Sequence, residues 1–511
     1  MRENCTSGSE GRAEVAATWS AASPDPAPEK PPNNPERPGA EVVEERGLPK
    51  GNTAGETLPG RSAGLGVSSD LDRVRRVAQR DRDVQFTALL HHVTVDRLRE
   101  AYRAIRPGAA PGVDGVTWQD YGVDLEANLR ELHARVHRGA YRARPTRRVF
   151  IPKPDGRQRP LGIAALEDKI LQRAVVEVLN AIYEADFVGF SYGFRPGRWA
   201  HDALDALATG IHRKKVNYVL DADIRSYFTS LDQSWLGKFL EHRIADKRIL
   251  RLIQKWLRAG VIEDGEWSET VQGTAQGASV SPLLANVYLH YVFDLWADQW
   301  RRRHARGDVI FVRFADDYVA GFEHRDDAER FLRDLRERFA KFSLELAPDK
   351  TRLIEFGRFA AERRAARGLR KPETFEFLGF THICATTKNQ RFKLKRITSK
   401  KRMQAKLREI KVELWRRMHL PIPDQGRWLA SVLRGHYRYF AVPDNSEALR
   451  GFHNRVERHW RRVLGRRSQK GQLPWQHMRR LVARWLPTPR VLHPWPAARF
   501  DAKTRGRSPV R

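Results

Sequence analysis

Apolar residues change their spacing several times along this chain, and each change marks an element. The run Phe311-Val312-Arg313-Phe314-Ala315-Asp316-Asp317-Tyr318-Val319-Ala320-Gly321-Phe322 sets two β-prone stretches around a pair of adjacent aspartates. That pattern predicts a β-hairpin with carboxylates at its tip. Ala-Asp-Asp is a poor hairpin turn, because nothing in it takes a positive φ cheaply. Immediately downstream the period becomes helical, with Ala328, Phe331, Leu332, Leu335, Phe339 and Phe342 on one stripe. A second pair, Asp326-Asp327, opens that stripe. Acidic residues in a first helical turn complement the macrodipole, so this pair reads as a helix start.

The same reading places the remaining elements. Residues 74–105 carry helical periodicity through Leu89, Leu90, Val93, Val95, Leu98 and Tyr102, and residues 107–116 form a glycine- and proline-broken loop. Residues 147–162 read as strand, turn, strand, with Pro154-Asp155-Gly156 as the turn. Residues 163–187 look helical, and an aromatic, arginine-rich loop follows at 190–198. There Arg195 and Arg198 suit phosphate contacts or a structural role equally. Tyr218-Val219-Leu220-Asp221-Ala222-Asp223 is an apolar strand that ends in carboxylate. Residues 271–282 are a small-residue loop feeding a helix that runs through Leu283, Val287, Tyr291 and Leu295. Ser281 is expected as its N-cap and Pro282 as N1, and Gly277 allows close backbone approach. Near the end, Met403, Leu407, Ile410 and Leu414 mark a helix that starts at Thr398-Ser399 and stops at Pro421.

A strand ending in Asp, set beside a hairpin tipped with Asp-Asp, is how two-metal phosphoryl-transfer enzymes gather acidic ligands. Mg²⁺ is hard and takes a few carboxylates plus substrate phosphates. Singly, Asp221 and Asp223 read as the polar end of a strand. Together with Asp316 and Asp317 they favour a metal.

Charge narrows the partner. Lys and Arg number 93 against 62 Asp and Glu, a formal net charge of +31. Such an excess repels itself unless a polyanion neutralises it, which makes nucleic acid the leading partner and a membrane surface the second. No apolar run approaches a membrane span, and the N-terminus lacks a signal-peptide core. Two cysteines, Cys5 and Cys384, exclude a disulfide framework and a cysteine-rich zinc site, and fit a reducing cytoplasm. Residues 1–70 hold nine Pro and nine Gly with no sustained period, which predicts a disordered tail. Residues 401–511 hold 27 Lys and Arg against 7 Asp and Glu, interleaved with Trp428, Tyr437, Tyr439, Trp460, Trp475, Trp485 and Trp495. Cations for phosphates and flat rings for unpaired bases suit structured RNA, although several of these rings are expected in the core.

The motifs around these residues resemble those of group II intron-encoded reverse transcriptases/maturases. All seven polymerase motifs of that family stand in order across roughly 134–380, and the order is more specific than any single motif. The resemblance implies an α+β fold: a right-hand polymerase with fingers and palm, a helical thumb, and a basic, mainly helical C-terminal maturase domain. It divides the chain into a tail (1–70), an N-terminal extension (71–133), fingers and palm (134–380), the thumb start (381–425) and a maturase domain (426–511), with no histidine/cysteine endonuclease. It makes Asp223 and Asp316 the ligands of two Mg²⁺ ions, with Asp317 supporting. Lys153 and Arg159 become a clamp on the nucleotide triphosphate, a role for which a point-charge Lys and a forked Arg are suited. Phe228 becomes a steric gate against the 2′-OH, and Gln276 with Gly277 lines the nucleotide pocket. Lys350 meets triphosphate. For Phe228 and Lys350 the plainer readings are a core aromatic and a surface lysine.

The implied function is RNA-directed DNA synthesis by two-metal nucleotidyl transfer, joined to intron RNA binding that assists splicing and mobility. Partners are intron RNA, a DNA primer or target, and dNTPs, with no membrane and a cytoplasmic location. The alternatives are a non-enzymatic RNA-binding splicing cofactor, and a reverse transcriptase of another bacterial retroelement. Phe314, Ala275, Thr229 and Trp199 depart from the residues common in the family, and none of these changes removes a metal ligand.

Overall fold

The strand that ends in Asp223 lies directly beside the Asp316 hairpin in the computed structural model, which describes residues 67–152, 158–263, 266–269, 272–467 and 473–504. Among these residues eleven strands form three sheets, numbered β1 to β11 along the chain. The central sheet is antiparallel and runs β6 (Val309–Phe314), β7 (Asp317–Phe322), β3 (Tyr218–Asp223), β8 (Arg352–Glu355).

Both faces of this sheet are covered, which explains why β6 and β7 read as near-continuous apolar runs. Successive side chains of a strand point to opposite faces. Leu220, Ala222, Phe311, Tyr318, Ala320 and Phe322 therefore join one core, and Val219, Ile310, Val312, Val319 and Ile354 join another. The first core is completed by the helices Leu166–Asp186, Ser281–Leu289 and Arg325–Ala340. The second is completed by the helix Ala200–Arg213 and by helices from the C-terminal part. Each fully buried Val, Leu, Ile or Phe contributes about 1.5–3 kcal/mol relative to exposure, so the sheet is clamped from both sides.

The second sheet, β2-β1-β4-β5, is built on the hairpin of β1 (Thr146–Pro152) and β2 (Gln158–Ile163). β4 (Val261–Glu263) joins β1 in parallel, and β5 (Glu266–Ser268) pairs with β4. The turn of that hairpin, with Lys153, lies outside the described residues. The third sheet is a meander of β9 (Phe375–Phe377), β10 (Phe380–Thr386) and β11 (Phe392–Thr398). Leu378 and Gly379 join β9 to β10 with φ of 47° and 81°, the two positive values of a type I′ hairpin turn.

After β11 the described chain is helical: Lys400–Arg416, Ile422–Phe440, Ser446–Gly465, Trp475–Trp485 and Pro496–Thr504. Trp460, Met478 and Phe500 share the second core with Val219 and Ile310 of the central sheet. Buried Asp205 accepts from Arg396 of β11 at 2.9 Å and from Arg499 of the last helix, which ties three distant segments together.

Several local expectations shift. The helix Val67–Arg80 begins inside the stretch assigned to a disordered tail, and the rest of that tail lies outside the described residues. Residues 74–105 are not one helix, since a 3-10 turn at Leu90–His92 separates Val67–Arg80 from Val95–Arg103. The boundaries drawn at 133/134 and 425/426 fall inside the helices Leu125–His137 and Ile422–Phe440. Val280, not Ser281, is the N-cap of Ser281–Leu289, and the Ser281 hydroxyl donates to the Ala275 carbonyl at 2.8 Å. Asp326 and Asp327 do stand in the first turn of Arg325–Ala340. Asp327 is also buried, and its carboxylate accepts the Arg306 amide at 2.9 Å.

Candidate active site

β6 and β7 are joined by two residues, Ala315 and Asp316, between the paired positions Phe314 and Asp317. Ala315 takes φ 57°. Two-residue hairpins need positive φ at the first central position to match strand twist, and a non-glycine residue there costs about 1–2 kcal/mol. Local preference thus opposes this turn, as its sequence implied, and the surroundings hold it. A Cβ on Gly193 would sit 2.3 Å from the Ala315 nitrogen, so the loop before the turn packs against it only as glycine. That loop is tied to β6 by the Tyr192 amide on the Arg313 carbonyl at 2.8 Å and the Arg313 amide on the Phe190 carbonyl at 2.9 Å.

Asp223 of β3 and Asp317 of β7 are direct partners in the ladder. Asp316, 8 % exposed, sits one residue away at the turn, whereas Asp317 is exposed. Asp223 and the distant pair Asp316-Asp317 therefore occupy one end of the central sheet. Asp221 lies two residues back on the same face of β3, 3.4 Å from Arg352, and burial pushes its carboxyl up to about 6. Lys350 arrives on the segment before β8 and its ammonium donates to Asp223 Oδ2.

Among the described residues, no three His, Cys, Asp or Glu side chains are grouped to enclose a metal ion. A hard divalent cation needs no such cage, because Mg²⁺ takes one or two protein carboxylates and completes its shell with waters and substrate phosphates. The donors at this sheet end are all carboxylate oxygens, and a cation already rests on one of them in the form of Lys350. Asp223 and Asp316 therefore fit as the protein part of an open divalent site.

The remaining candidates divide. Phe228 follows Asp223 through Ser226, which takes φ 48°, and its ring is buried edge-on to Tyr227. It belongs to the first core, as the plainer reading of a core aromatic required. Its carbonyl accepts the Thr274 amide at 2.8 Å, which anchors one end of the Gln276 loop. The other end rests on β2, where the Gln276 carbonyl accepts the Gly162 amide at 2.7 Å. A Cβ on Gly277, at φ 118°, would lie 2.7 Å from the Gly162 carbonyl oxygen. The structure thus joins Phe228 to the start of the loop and rests Gln276 and Gly277 against β2, where Arg159 stands opposite Ile151. Lys350 is joined instead to Asp223. Lys153 lies outside the described residues.

Arg195 and Arg198 are internal. Arg195 pairs with Glu184 at 3.0 Å and donates to the Val188 and Ser191 carbonyls, while Arg198 donates to the Gly189 and Ser191 carbonyls. Sequence reasoning missed Gly193 and the side chain of Arg313. The signal for Arg313 was present: a lone charge inside an apolar run on a strand covered on both faces.

Comparison with known proteins supplies the context. A family described as reverse transcriptase (RNA-dependent DNA polymerase) matches residues 151–382, which contain all nine candidate residues named above. Protein YkfC of Escherichia coli K12 is 34 % identical over 276 residues, or 47 % of this chain and 72 % of that protein. Group II intron-encoded protein LtrA of Lactococcus lactis subsp. cremoris is 32 % identical over 222 residues, 43 % of this chain and 37 % of LtrA. An uncharacterized 91 kDa protein in the cob intron of Schizosaccharomyces pombe is 41 % identical over 146 residues, 29 % of this chain and 18 % of its own length. The match therefore spans well under two thirds of the two intron-encoded relatives.

Proposed function

The chain belongs to the reverse transcriptases/maturases encoded by group II introns, and on that premise we propose that it copies intron RNA into DNA and binds the intron to assist splicing. The observation that carries the polymerase part is the Asp223–Asp317 pairing beside the Asp316 turn. When bound, divalent metal would activate the primer 3′-OH and neutralise charge on the triphosphate and the leaving pyrophosphate. Mg²⁺ is the ion we assign, and Asp223 and Asp316 would hold it, with Asp317 adjacent.

The rest is done by the chain itself. Arg159 of β2 would meet triphosphate oxygens as a fork, and Lys153, which lies outside the described residues, is assigned to the same oxygens as a point charge. The loop at Gln276 and Gly277 supplies backbone that a base and sugar can approach closely. Phe228, tied to that loop through its carbonyl, crowds the place of a 2′-OH. Lys350 moves from Asp223 to the triphosphate.

The maturase part rests on the basic end of the chain. Arg461 lies over the exposed Trp475 ring at 4.3 Å, and exposed Arg484 lies over the half-buried Trp485 ring at 5.3 Å. A splicing cofactor without polymerase activity is the second reading, and the retained aspartates weigh against it. Among the described residues no helix is long and apolar enough to cross a membrane; a cytoplasmic site of action is part of the proposal.

Primer extension on an RNA template with Mg²⁺ and dNTPs tests the polymerase part. Asp316→Ala should abolish cDNA synthesis while intron RNA binding persists, and undiminished extension by that variant would refute the assignment.

A further inference from the structure

One side of the catalytic hairpin holds a buried charge pair that the polymerase reading does not use. Arg313, on β6, is 1 % exposed, and Asp294 is 0 % exposed. A guanidinium has five N–H donors, and here each has an acceptor. Nε donates to Asp294 Oδ1 at 2.7 Å, and Nη2 donates to Asp294 Oδ2 and to Ser191 Oγ, the latter at 2.7 Å. Nη1 donates to Asn286 Oδ1 at 3.0 Å and to the Ala315 carbonyl at 2.9 Å. Asn286 in turn donates from Nδ2 to the Gly193 carbonyl at 2.7 Å. The network therefore grips both sides of the strained turn: the carbonyl of Ala315, and the glycine packed against its amide.

The helix that delivers the two acceptors is interrupted to do so. Residues His290–Asp294 form a π-turn between Ser281–Leu289 and Leu295–Arg303. In an unbroken α-helix with 3.6 residues per turn, residues eight apart are rotated by about 80°. One extra residue absorbed in a π-turn returns Asp294 to the face of Asn286, and such turns recur at functional sites. The helix gives up regular hydrogen bonding where it must aim a carboxylate at Arg313.

Packing alone does not account for a buried ion pair at this place. Apolar side chains of similar volume are often as stable or more stable there, and the surrounding core is apolar. An apolar pair, however, has no donor for the Ala315 carbonyl. We propose that Arg313 and Asp294 are positioning residues for Asp316: the guanidinium, oriented by Asp294 and Asn286, clamps Ala315 at positive φ and so fixes where the Asp316 carboxylate meets divalent metal. The proposal rests on the polymerase reading of the site.

The test uses the full chain with bound primer–template and compares wild type with Arg313→Lys, Asp294→Asn and the double variant Arg313→Met/Asp294→Leu. Mn²⁺ binding is followed by electron paramagnetic resonance, and primer extension gives the rate and the KM for dNTP. A lysine cannot reach Asp294, Asn286 and Ala315 together. The double variant keeps the volume and removes the burial cost. All three are expected to weaken Mn²⁺ binding and lower the extension rate on the order of 10²-fold, the scale of a small misplacement of a reacting group. The dNTP KM and primer–template affinity should change little. A folded double variant with wild-type Mn²⁺ affinity and rate would overturn the proposal, because packing would then be the pair's only role. Should wild type bind Mn²⁺ but fail to extend a primer, the polymerase reading falls, and the Mn²⁺ affinities still decide the positioning role.

Discussion

Asp223 and Asp317 oppose each other directly across the antiparallel ladder of β3 and β7. Like charges at such a position destabilise a sheet, and cross-strand pairs are worth about 0.2–1 kcal/mol. The arrangement therefore lowers folding stability at the place where a divalent cation is to bind. Asp317→Asn is expected to raise stability by roughly that 0.2–1 kcal/mol in metal-free buffer, read as a higher urea midpoint, while it reduces primer extension. A variant less stable than wild type without metal would show that the opposed carboxylates do not repel.

Lys350 bears on the same site from the other direction. Its ammonium donates to Asp223, but the lysine side chain is half exposed. A lone pair of that exposure is worth about 0–1 kcal/mol, which a divalent ion readily outcompetes. Lys350→Met should therefore not raise the metal concentration needed for half-maximal extension. It should lower the rate at saturating metal on the order of 10²-fold, the usual effect of removing one donor from developing charge. An unchanged rate with a raised metal requirement would instead make Lys350 a structural partner of Asp223.

Much of this site was legible in the sequence because short β-prone apolar runs and acid placement are local signals. The apolar, β-prone runs of β3, β6 and β7 placed Asp223 at a strand end and Asp316 at a hairpin tip, and pairing joined them. The conformation of the turn was not legible. Ala315 takes positive φ because Gly193 and Arg313, from elsewhere in the fold, hold it there. Ser281 misled for a related reason, since a hydroxyl suited to capping found the Ala275 carbonyl first. The 425/426 boundary came from the resemblance, and motif order does not report how the core is shared. Trp460 and Phe500 pack into the same cluster as Val219 and Ile310, so the basic end cannot be removed without exposing one face of the central sheet.

For that reason RNA binding by the basic end is better tested by substitution than by truncation. On the helix Trp475–Trp485, Arg479, Arg480 and Arg484 are exposed. Changing all three to Gln should weaken intron RNA binding and leave extension of an unrelated primer–template largely intact. For every phosphate that is no longer neutralised, the slope of log affinity against log salt should fall by about 0.7–0.9. An unchanged slope would place the RNA on another surface.

The last prediction concerns pH and a carboxyl remote from the chemistry. Asp168 stands buried in the first turn of Leu166–Asp186, where its carboxylate accepts the Tyr141 hydroxyl and, at 3.1 Å, the Arg144 amide. Burial outweighs these two donors and pushes its carboxyl up to about 6, from 3.8 when exposed. Between those values the folded chain holds a proton that the unfolded chain has released, so stability falls as pH rises. The whole loss amounts to about 3 kcal/mol, at 1.36 kcal/mol for each tenfold change in proton affinity, and about 2 kcal/mol of it falls between pH 4 and 6. It is complete above the folded value, and the full contribution is present only below the unfolded one. Asp168→Asn keeps one oxygen to accept the Arg144 amide, turns its Nδ2 donor toward the Tyr141 hydroxyl oxygen, and does not titrate. The stability of wild type relative to this variant should therefore decline by about 2 kcal/mol between pH 4 and 6, lose about 0.4 kcal/mol more by pH 7, and stay level to pH 8. Urea midpoints of both proteins, measured at half-unit steps over this range, check it. A difference that is flat throughout, or that grows in favour of wild type as pH rises, would mean that Tyr141 and Arg144 overcome burial.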